Sequence, residues 1–405
     1  MPGSFRQPSV VVEKLCKGTV AHAAVGGSFL YVSSYCGKLT TLDVSPLHSW
    51  RAGGGNAAPV RLKTVSSTNA GGNPSFLTID KARSTLFCLD EGLESLTGAL
   101  ASFKMKPDGS LALLDKKPTP KRPVFGALYN HGKCLGVAHY GDEAMTTWNV
   151  WDPHNMSVMQ TEKYKPGTTG SGVAPQDAPR PHQVLFDPTG QFAVVPDLGS
   201  DQVRIYRVPG GGKPKLRRSG VARVETGSGP RHAAFAVARG KTYMYLLTEL
   251  SNQIIGFKVH YRFGLMNLQK MFTTGIHGKR PTPEGAFASE IAVTPDNKSV
   301  IVSSRNENSV EMARADGIKV QADPLIHFSI NSGNGHLTVG EEVSCGGSGP
   351  RQFCINKAGT LLAVALQTEG RVAVMGRDLD AAGLALTPVG IADVGGEVTS
   401  VVFDE

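Results

Sequence analysis

The segment PHQVLFDPTGQFAVVPDLGSDQVRIYRV, Pro181 to Val208, decides the fold. It holds three short runs rich in Val, Ile, Phe and Tyr, with DPTG between the first and second and DLGSD between the second and third. Runs of this length bounded by Gly, Pro and Asp read as strands joined by tight turns. The same order recurs in PSFLTIDKARSTLFCLDEG from Pro74, in PRHAAFAVARGKTYMYLLTELSNQIIGFKV from Pro230 and in PRQFCINKAGTLLAVALQTEGRVAVMGRD from Pro350. It recurs again in SEIAVTPDNKSVIVSSRNENSVEMARA from Ser289, where SVEMARA takes the place of the third strand, and a degenerate copy begins at Pro123. The copies start roughly 48 to 61 residues apart, the period of an array with about four strands per unit. Helical periodicity is nowhere sustained long enough to compete.

Six internal copies leave a fragment at each end. VTSVVFDE (Val398 to Glu405) has the pattern of a first strand, and GSFLYVSSYCGKLTTLDV (Gly27 to Val44) that of a second and third. Joined, they make a seventh copy and remove the open sheet edge between the first and last repeats. The expectation is an all-β, seven-bladed β-propeller, one domain over 1–405. Its blades lie near 73–115, 123–160, 181–220, 230–271, 289–343 and 350–395, and the last, 398–405 with 19–66, is closed by N- and C-terminal strands. Two stacked β-sandwiches are the alternative.

Composition agrees. The chain has 48 Gly and 25 Pro among 405 residues, about 18%, where an ordinary soluble chain has about 12%, which argues against a bundle of long helices. A net charge of +8 favours an anionic partner. The basic residues are scattered apart from short groups such as Lys213, Lys215, Arg217 and Arg218, and no basic run is interleaved with aromatics. That leaves a small carboxylated or phosphorylated metabolite ahead of nucleic acid. The six cysteines (Cys16, Cys36, Cys88, Cys134, Cys345 and Cys354) show no zinc-ligand spacing and are expected as buried, reduced thiols. No leader-like or membrane-spanning apolar stretch occurs, so a cytoplasmic protein is expected, with its oligomeric state left open.

The topology also singles out residues. In an up-and-down blade, the entrance to the innermost strand and the exit of the second strand lie at the same end of the central channel. Entrances carry Asn73, His182, Arg231 with His232, Glu290 and Arg351. Exits carry Tyr35, Asp90, Tyr140, Asp197, Glu249, Arg305 and Gln367. This set is rich in His, Arg and carboxylates, and its arginines suit a carboxylate or phosphate because guanidinium forks match planar oxyanions. Asp90 and Asp197 read as turn residues. The Pro- and Gly-containing stretch from Asp152 to Arg180 reads as a long insertion, a candidate cover over the channel mouth.

PHQVLFDPTGQFAVVPDLGSDQVRIY, GSGPRHAAF, LLTELSN, SSRNENS and GPRQFCINKAGTLLAVALQ resemble the seven-bladed propeller lactonase family. That family includes cycloisomerase-type 6-phosphogluconolactonases and fungal carboxy-cis,cis-muconate cyclases; the fungal branch is the nearer match. The resemblance covers nearly the whole chain. It implies a functional His, two Arg and a Glu, which by motif fall on His182, Arg231, Glu249 and Arg305, all members of the ring that the topology selects. His232, Glu290, Arg351, Tyr140 and Gln367 are then candidate substrate contacts. The chain departs from the family pattern at Arg180, where a second His precedes the Pro-His pair, and at the turn bearing His139, Tyr140 and Asp142.

Two reactions use this equipment. In lactone hydrolysis, His182 or Glu249 activates water while Arg231 or Arg305 stabilises the oxyanion. In lactone-forming cyclisation, a substrate carboxylate adds to a double bond and the enzyme delivers a proton. Hydrolysis of an anionic sugar-acid lactone is the first expectation, cyclisation the second and a non-catalytic binding scaffold the third. Neither reaction requires a metal, nucleotide or redox cofactor, and none is expected: P-loop, H-E-x-x-H and G-x-S-x-G motifs do not occur, and Gly53 to Gly55 and Gly210 to Gly212 lack the strand-turn-helix setting of a dinucleotide site.

Overall fold

The second strand of each repeat is the most apolar, and in the computed structural model several are buried along their whole length, among them Thr85–Asp90, Cys134–His139, Phe192–Asp197 and Leu361–Leu366. Outermost strands such as Ser157–Lys163 and Arg217–Arg223 are half-exposed. A sheet whose inner strands are covered on both faces must be sandwiched between two others, and that condition, met for each four-stranded blade, closes a ring. The structure describes residues 28–50, 58–165, 170–210, 215–313, 317–380 and 385–405. Cys16, the 19–27 part of the closing blade, Gly53 to Gly55, Gly211, Gly212 and Lys213 lie outside the described residues.

The protein is a seven-bladed β-propeller. Blade 1 runs Pro74–Asp80, Thr85–Asp90, Gly98–Met105 and Leu111–Thr119, all antiparallel. The innermost strands of blades 2 to 6 are Pro123–Tyr129, Leu185–Phe186, Pro230–Ala238, Phe287–Val293 and Pro350–Ile355. Blade 7 takes its innermost strand, Val398–Phe403, from the C-terminus and pairs it with Phe29–Ser34 from the N-terminal side, so Val32 lies opposite Val401. Ser33 and Thr399 hydroxyls meet across this seam at 2.9 Å.

Among the described residues, seven apolar clusters hold the ring, one at each junction between neighbouring blades. The junction of blades 7 and 1 packs Tyr31 and Leu39 against Leu77 and Leu86, and that of blades 3 and 4 packs Val194 and Ile205 against Met244 and Leu246. Each fully buried aliphatic side chain contributes roughly 1.5–3 kcal/mol, so every junction rests on many such terms. At the channel end where strands enter, polar stitches repeat the same contact. Hydroxyls of Ser75, Ser303 and Thr399 donate to the backbone carbonyls of Pro123, Pro350 and Pro74 in the next blade, at 2.7, 2.9 and 2.7 Å.

Three local expectations are corrected. SVEMARA is not the third strand of blade 5: Val310–Ala313 pairs with Lys319–Ala322 in a separate hairpin, and the third strand is Pro324–Ile330. The reason is burial, since PLIHFSI is almost wholly buried whereas VEMA alternates half-buried and exposed. The stretch from Asp152 to Arg180 is not one insertion either, because Ser157–Lys163 is the outermost strand of blade 2. Of its remainder, 166–169 lie outside the described residues, and the Gln176 amide is buried, donating to the Leu198 carbonyl at 2.9 Å and to Asp201 Oδ1 at 2.8 Å. Of the five described cysteines, all free, Cys36 is exposed and Cys354 partly buried, against the expectation that all are interior; Cys36 lies in the turn after a strand exit, outside the packed inter-blade clusters. Among the described residues, no helix is long and apolar enough to cross a membrane.

Candidate active site

The site is built by a repeated backbone device. Pairing between the first and second strands slips by one residue at the entrance, between Pro230 and His232, between Pro350 and Gln352, and between Pro74 and Phe76. A bulge of this kind re-aims the extra residue, and the residues it re-aims are Arg231, Arg351 and Ser75. The GSGP turns before the two arginines are matched. Gly229 and Gly349 adopt φ of +66° and +73°, a left-handed conformation that favours glycine, and donate to Asp201 Oδ1 and Asp323 Oδ2 at 2.8 and 2.7 Å. Second-strand exits are tied to the same ends: the N–H groups of Glu91, Tyr140, Glu249 and Gln367 donate to the carbonyls of Asn73, Arg122, Gly229 and Gly349 at 2.7–2.9 Å. Entrance and exit residues therefore converge on one mouth.

Three groups of side chains form around that mouth. In the first, Glu249 lies between two guanidiniums, with Arg231 Nε 2.7 Å from Oε2 and Arg305 Nη2 3.0 Å from Oε1. The Arg231 N–H is not aimed at its oxygen, so that contact is an ion pair more than a hydrogen bond, while an Nη of Arg231 donates to the Ser289 carbonyl. In the second, His182 Nδ1 is 3.0 Å from His232 Nε2, and His232 Nδ1 is 2.8 Å from Glu290 Oε1. In the third, Glu91 accepts from Arg351 at 3.0 Å and from the Tyr35 hydroxyl. Arg231 Nη1 approaches His232 Nδ1 to 3.5 Å and joins the first group to the second. His182, Arg231, Glu249 and Arg305 are thus linked through His232 by a chain of contacts, none longer than 3.5 Å.

Charge is unevenly distributed. Two guanidiniums share Glu249, Glu290 also acts on Arg231, and among the described residues the buried Arg305 Nε has no acceptor. Burial alone would raise the Glu249 pKa, but Arg305 and Arg231 outweigh it and hold the carboxyl below its usual range. Burial lowers Arg231 to about 10, with Glu249 partly restoring it. His182 is pushed well below the ordinary imidazole value by burial and by Arg231, His232 and Arg351. His232 is lowered by burial despite Glu290. The mouth therefore sets a neutral imidazole within the field of Arg231, whose charge Glu249 and Glu290 offset.

The sequence matches the family model for the seven-bladed β-propeller lactonases over residues 21–403. The chain belongs to that lactonase family. A 6-phosphogluconolactonase of Formosa agariphila is 27% identical over 78% of this chain and 84% of its own, and one of Bacillus subtilis is 24% identical over the same shares. Among solved structures, the Pseudomonas aeruginosa periplasmic gluconolactonase aligns with a TM-score of 0.71 at 24% identity, over 93% of this chain and 98% of its own. A Lactobacillus plantarum protein aligns at 0.75 and 22%, over 93% and 99%. These two likenesses are of fold.

Within this lactonase-family propeller the remaining candidates separate. The Tyr140 ring meets His182 edge-on at 5.8 Å, and the Arg180 guanidinium lies 5.0 Å above that tyrosine, held by Asp177 at 2.7 Å. The Gln367 amide is engaged by Glu397 at 2.6 Å on the rim. His139 is buried with its pKa lowered to about 3, and bonds Thr146 and the Pro120 carbonyl. Asp90 accepts from the N–H groups of Gly72, Asn73 and Gly92, and Asp197 from those of Arg180 and Ser200, so both are turn residues. Glu91 is the mouth carboxylate that the sequence reading passes over. It sits one residue after Asp90, and its register with Glu249 and Gln367 was the available signal.

One group of metal-ligand type occurs among the described residues of this lactonase-family chain: His277, Glu307 and Glu342, with ligand atoms within 4.8 Å of one another. His277 presents Nδ1 to Glu342 at 2.9 Å and Nε2 to Glu307 at 3.2 Å. Both carboxylates want a proton on the ring, so the group is satisfied as an ion cluster.

Proposed function

We propose that the protein hydrolyses a small anionic lactone at the channel mouth, 6-phosphogluconolactone being the first candidate. The observation that carries this reading is the sharing of Glu249 by Arg231 and Arg305, with a buried Arg305 N–H that has no acceptor among the described residues, and Arg231 acting on the neutral His182. The names borne by the Formosa and Bacillus relatives supply the substrate class. His182 takes a proton from water, the hydroxide adds to the ester carbonyl, and Arg305 with Arg231 stabilises the resulting oxyanion. Collapse expels the ring oxygen, which recovers the proton from His182, leaving a hydroxy acid. Glu249 is a poor base because both oxygens face guanidiniums; its part is to hold them in place. A positioned base supplies about 10²- to 10⁴-fold and an oxyanion donor about 10²- to 10³-fold.

The test is turnover of 6-phosphogluconolactone and of carboxymuconate by the purified protein, beside Arg231→Ala and Glu249→Gln. Hydrolysis that falls at least 10²-fold in both variants supports the reading. Turnover of carboxymuconate alone would assign the mouth to cyclisation. Activity on neither substrate, or variants as active as the parent, would favour a binding scaffold.

A further inference from the structure

We infer that His232 and Glu290 are positioning residues which fix the tautomer of His182 and present its Nε2 as a bare lone pair at the mouth. The inference rests on the hydrolytic reading only for what that lone pair attacks; the proton arrangement follows from geometry. An ionised carboxylate has acceptors and no proton to give. Glu290 Oε1 already accepts the Ile291 N–H at 3.0 Å, and it faces His232 Nδ1 at 2.8 Å, so that nitrogen carries a hydrogen. A neutral His232 then has its lone pair on Nε2. His182 Nδ1, 3.0 Å away, must be the donor, and the lone pair of His182 falls on Nε2. Among the described residues no group is bonded to that Nε2.

The alternative arrangement fails on distance. Arg231 Nη1 would be the donor if His232 Nδ1 were bare, but it lies at 3.5 Å, while the Glu290 oxygen would then face a lone pair at 2.8 Å. Both His232 and Glu290 are buried, and the ring of Phe125 meets His232 edge-on at 5.2 Å, so solvent does not compete for these hydrogen bonds. When His182 Nε2 takes a proton from water, its Nδ1–H still donates to His232, and the buried carboxylate stabilises the imidazolium through the second ring. Concerted transfer from His182 Nδ1 to His232 Nε2 and from His232 Nδ1 to Glu290 would neutralise the charge without changing the number of protons held. The arrangement lengthens by one imidazole the carboxylate-histidine pair by which an orienting acid fixes a catalytic base.

The charged and titratable groups that bear on this chain are Arg231, Arg351 and Tyr140 around His182, and Arg231, Glu249 and Glu290 around His232. Burial and the two arginines keep His182 neutral at pH 7, so its acid limb falls below the ordinary imidazole range.

Glu290→Leu and Glu290→Gln together test the idea. Leucine removes the acceptor, so Arg231 is the group left facing His232 Nδ1; the proton on His232 moves to Nε2, His182 Nδ1 becomes the acceptor and His182 Nε2 is blocked. Glutamine can still accept the Ile291 N–H and the His232 Nδ1–H through its carbonyl oxygen, and should keep the parent's tautomer. Nitrogen-15 spectra of histidine-labelled protein should show His182 bare at Nε2 in the parent and in Glu290→Gln, and bare at Nδ1 in Glu290→Leu. Turnover should fall about 10²- to 10⁴-fold in kcat with KM nearly unchanged in Glu290→Leu, and less in Glu290→Gln. A parent protonated at His182 Nε2, or a leucine variant with the parent's tautomer, would overturn the proposal. If the leucine variant does not fold, the parent spectrum alone decides. If its tautomers invert but none of the three proteins hydrolyses a lactone, the relay stands and the hydrolytic reading fails.

Discussion

Two groups of histidines in this propeller are bonded to buried carboxylates, directly or through a second ring, and the outcome is opposite. His182 and His232 share one carboxylate, Glu290, and lie beside Arg231; burial dominates and both rings are held below the ordinary value. His277 is also buried, which by itself would lower it, but Glu307 and Glu342 each take one ring N–H, and their combined pull raises it. One carboxylate for two rings leaves neutral bases. Two carboxylates for one ring make a cation that ties the end of blade 4 to blade 5. The difference separates two rings held neutral from one that keeps its proton.

The strongest way to break this comparison is to remove each imidazole. His182→Ala should lower kcat about 10²- to 10⁴-fold with the fold intact, whereas His277→Ala should leave turnover within a few-fold and lower the melting temperature. Equal losses of turnover in steady-state assays would erase the distinction. Next in size, Glu307→Ala takes one acceptor from a buried imidazolium and should cost about 2–3 kcal/mol, read by urea denaturation.

A smaller effect sharpens the sign. Unfolded histidine titrates near about 6.5. Between that value and its raised folded pKa, His277 keeps a proton that the unfolded chain loses, so stability should fall as pH rises through this window. Below about 6.5, the unfolded chain takes up protons that buried His182 and His232 refuse, so stability should also fall as pH drops. His277→Gln should flatten the alkaline limb in denaturation curves at pH 6, 7 and 8 and leave the acid limb in place. Persistence of the alkaline limb would mean that another group supplies it. Least of all, Arg280→Ala removes an exposed partner of Glu342 and should cost at most about 1 kcal/mol, a loss that salt should mimic.

Much of this was legible in the letters, for identifiable reasons. A two-residue alternation says which face of a strand is buried, and a turn says where it reverses. Together these placed His182, Arg231, Glu249 and Arg305 at one end of the channel. They could not choose between Asp90 and Glu91, adjacent acids of which one caps a turn and the other pairs with Arg351, because that choice depends on where the ladder ends. Nor could they show that Arg351 reaches from blade 6 past blade 7 to a carboxylate in blade 1. The 310–322 hairpin was misread because a short half-exposed strand has the same alternation inside a blade or outside it.

The repeats, their punctuation by Gly, Pro and Asp, and the complementary fragments at the two ends were sufficient for seven blades and their closure, because hydrophobic patterning and turn chemistry act locally. Pairing around the mouth was decided only in three dimensions. His182, His232 and Glu290 stand 50 and 58 residues apart in sequence. Their proton arrangement depends on which atoms come within 3 Å of one another, and the curvature of the ring sets that spacing.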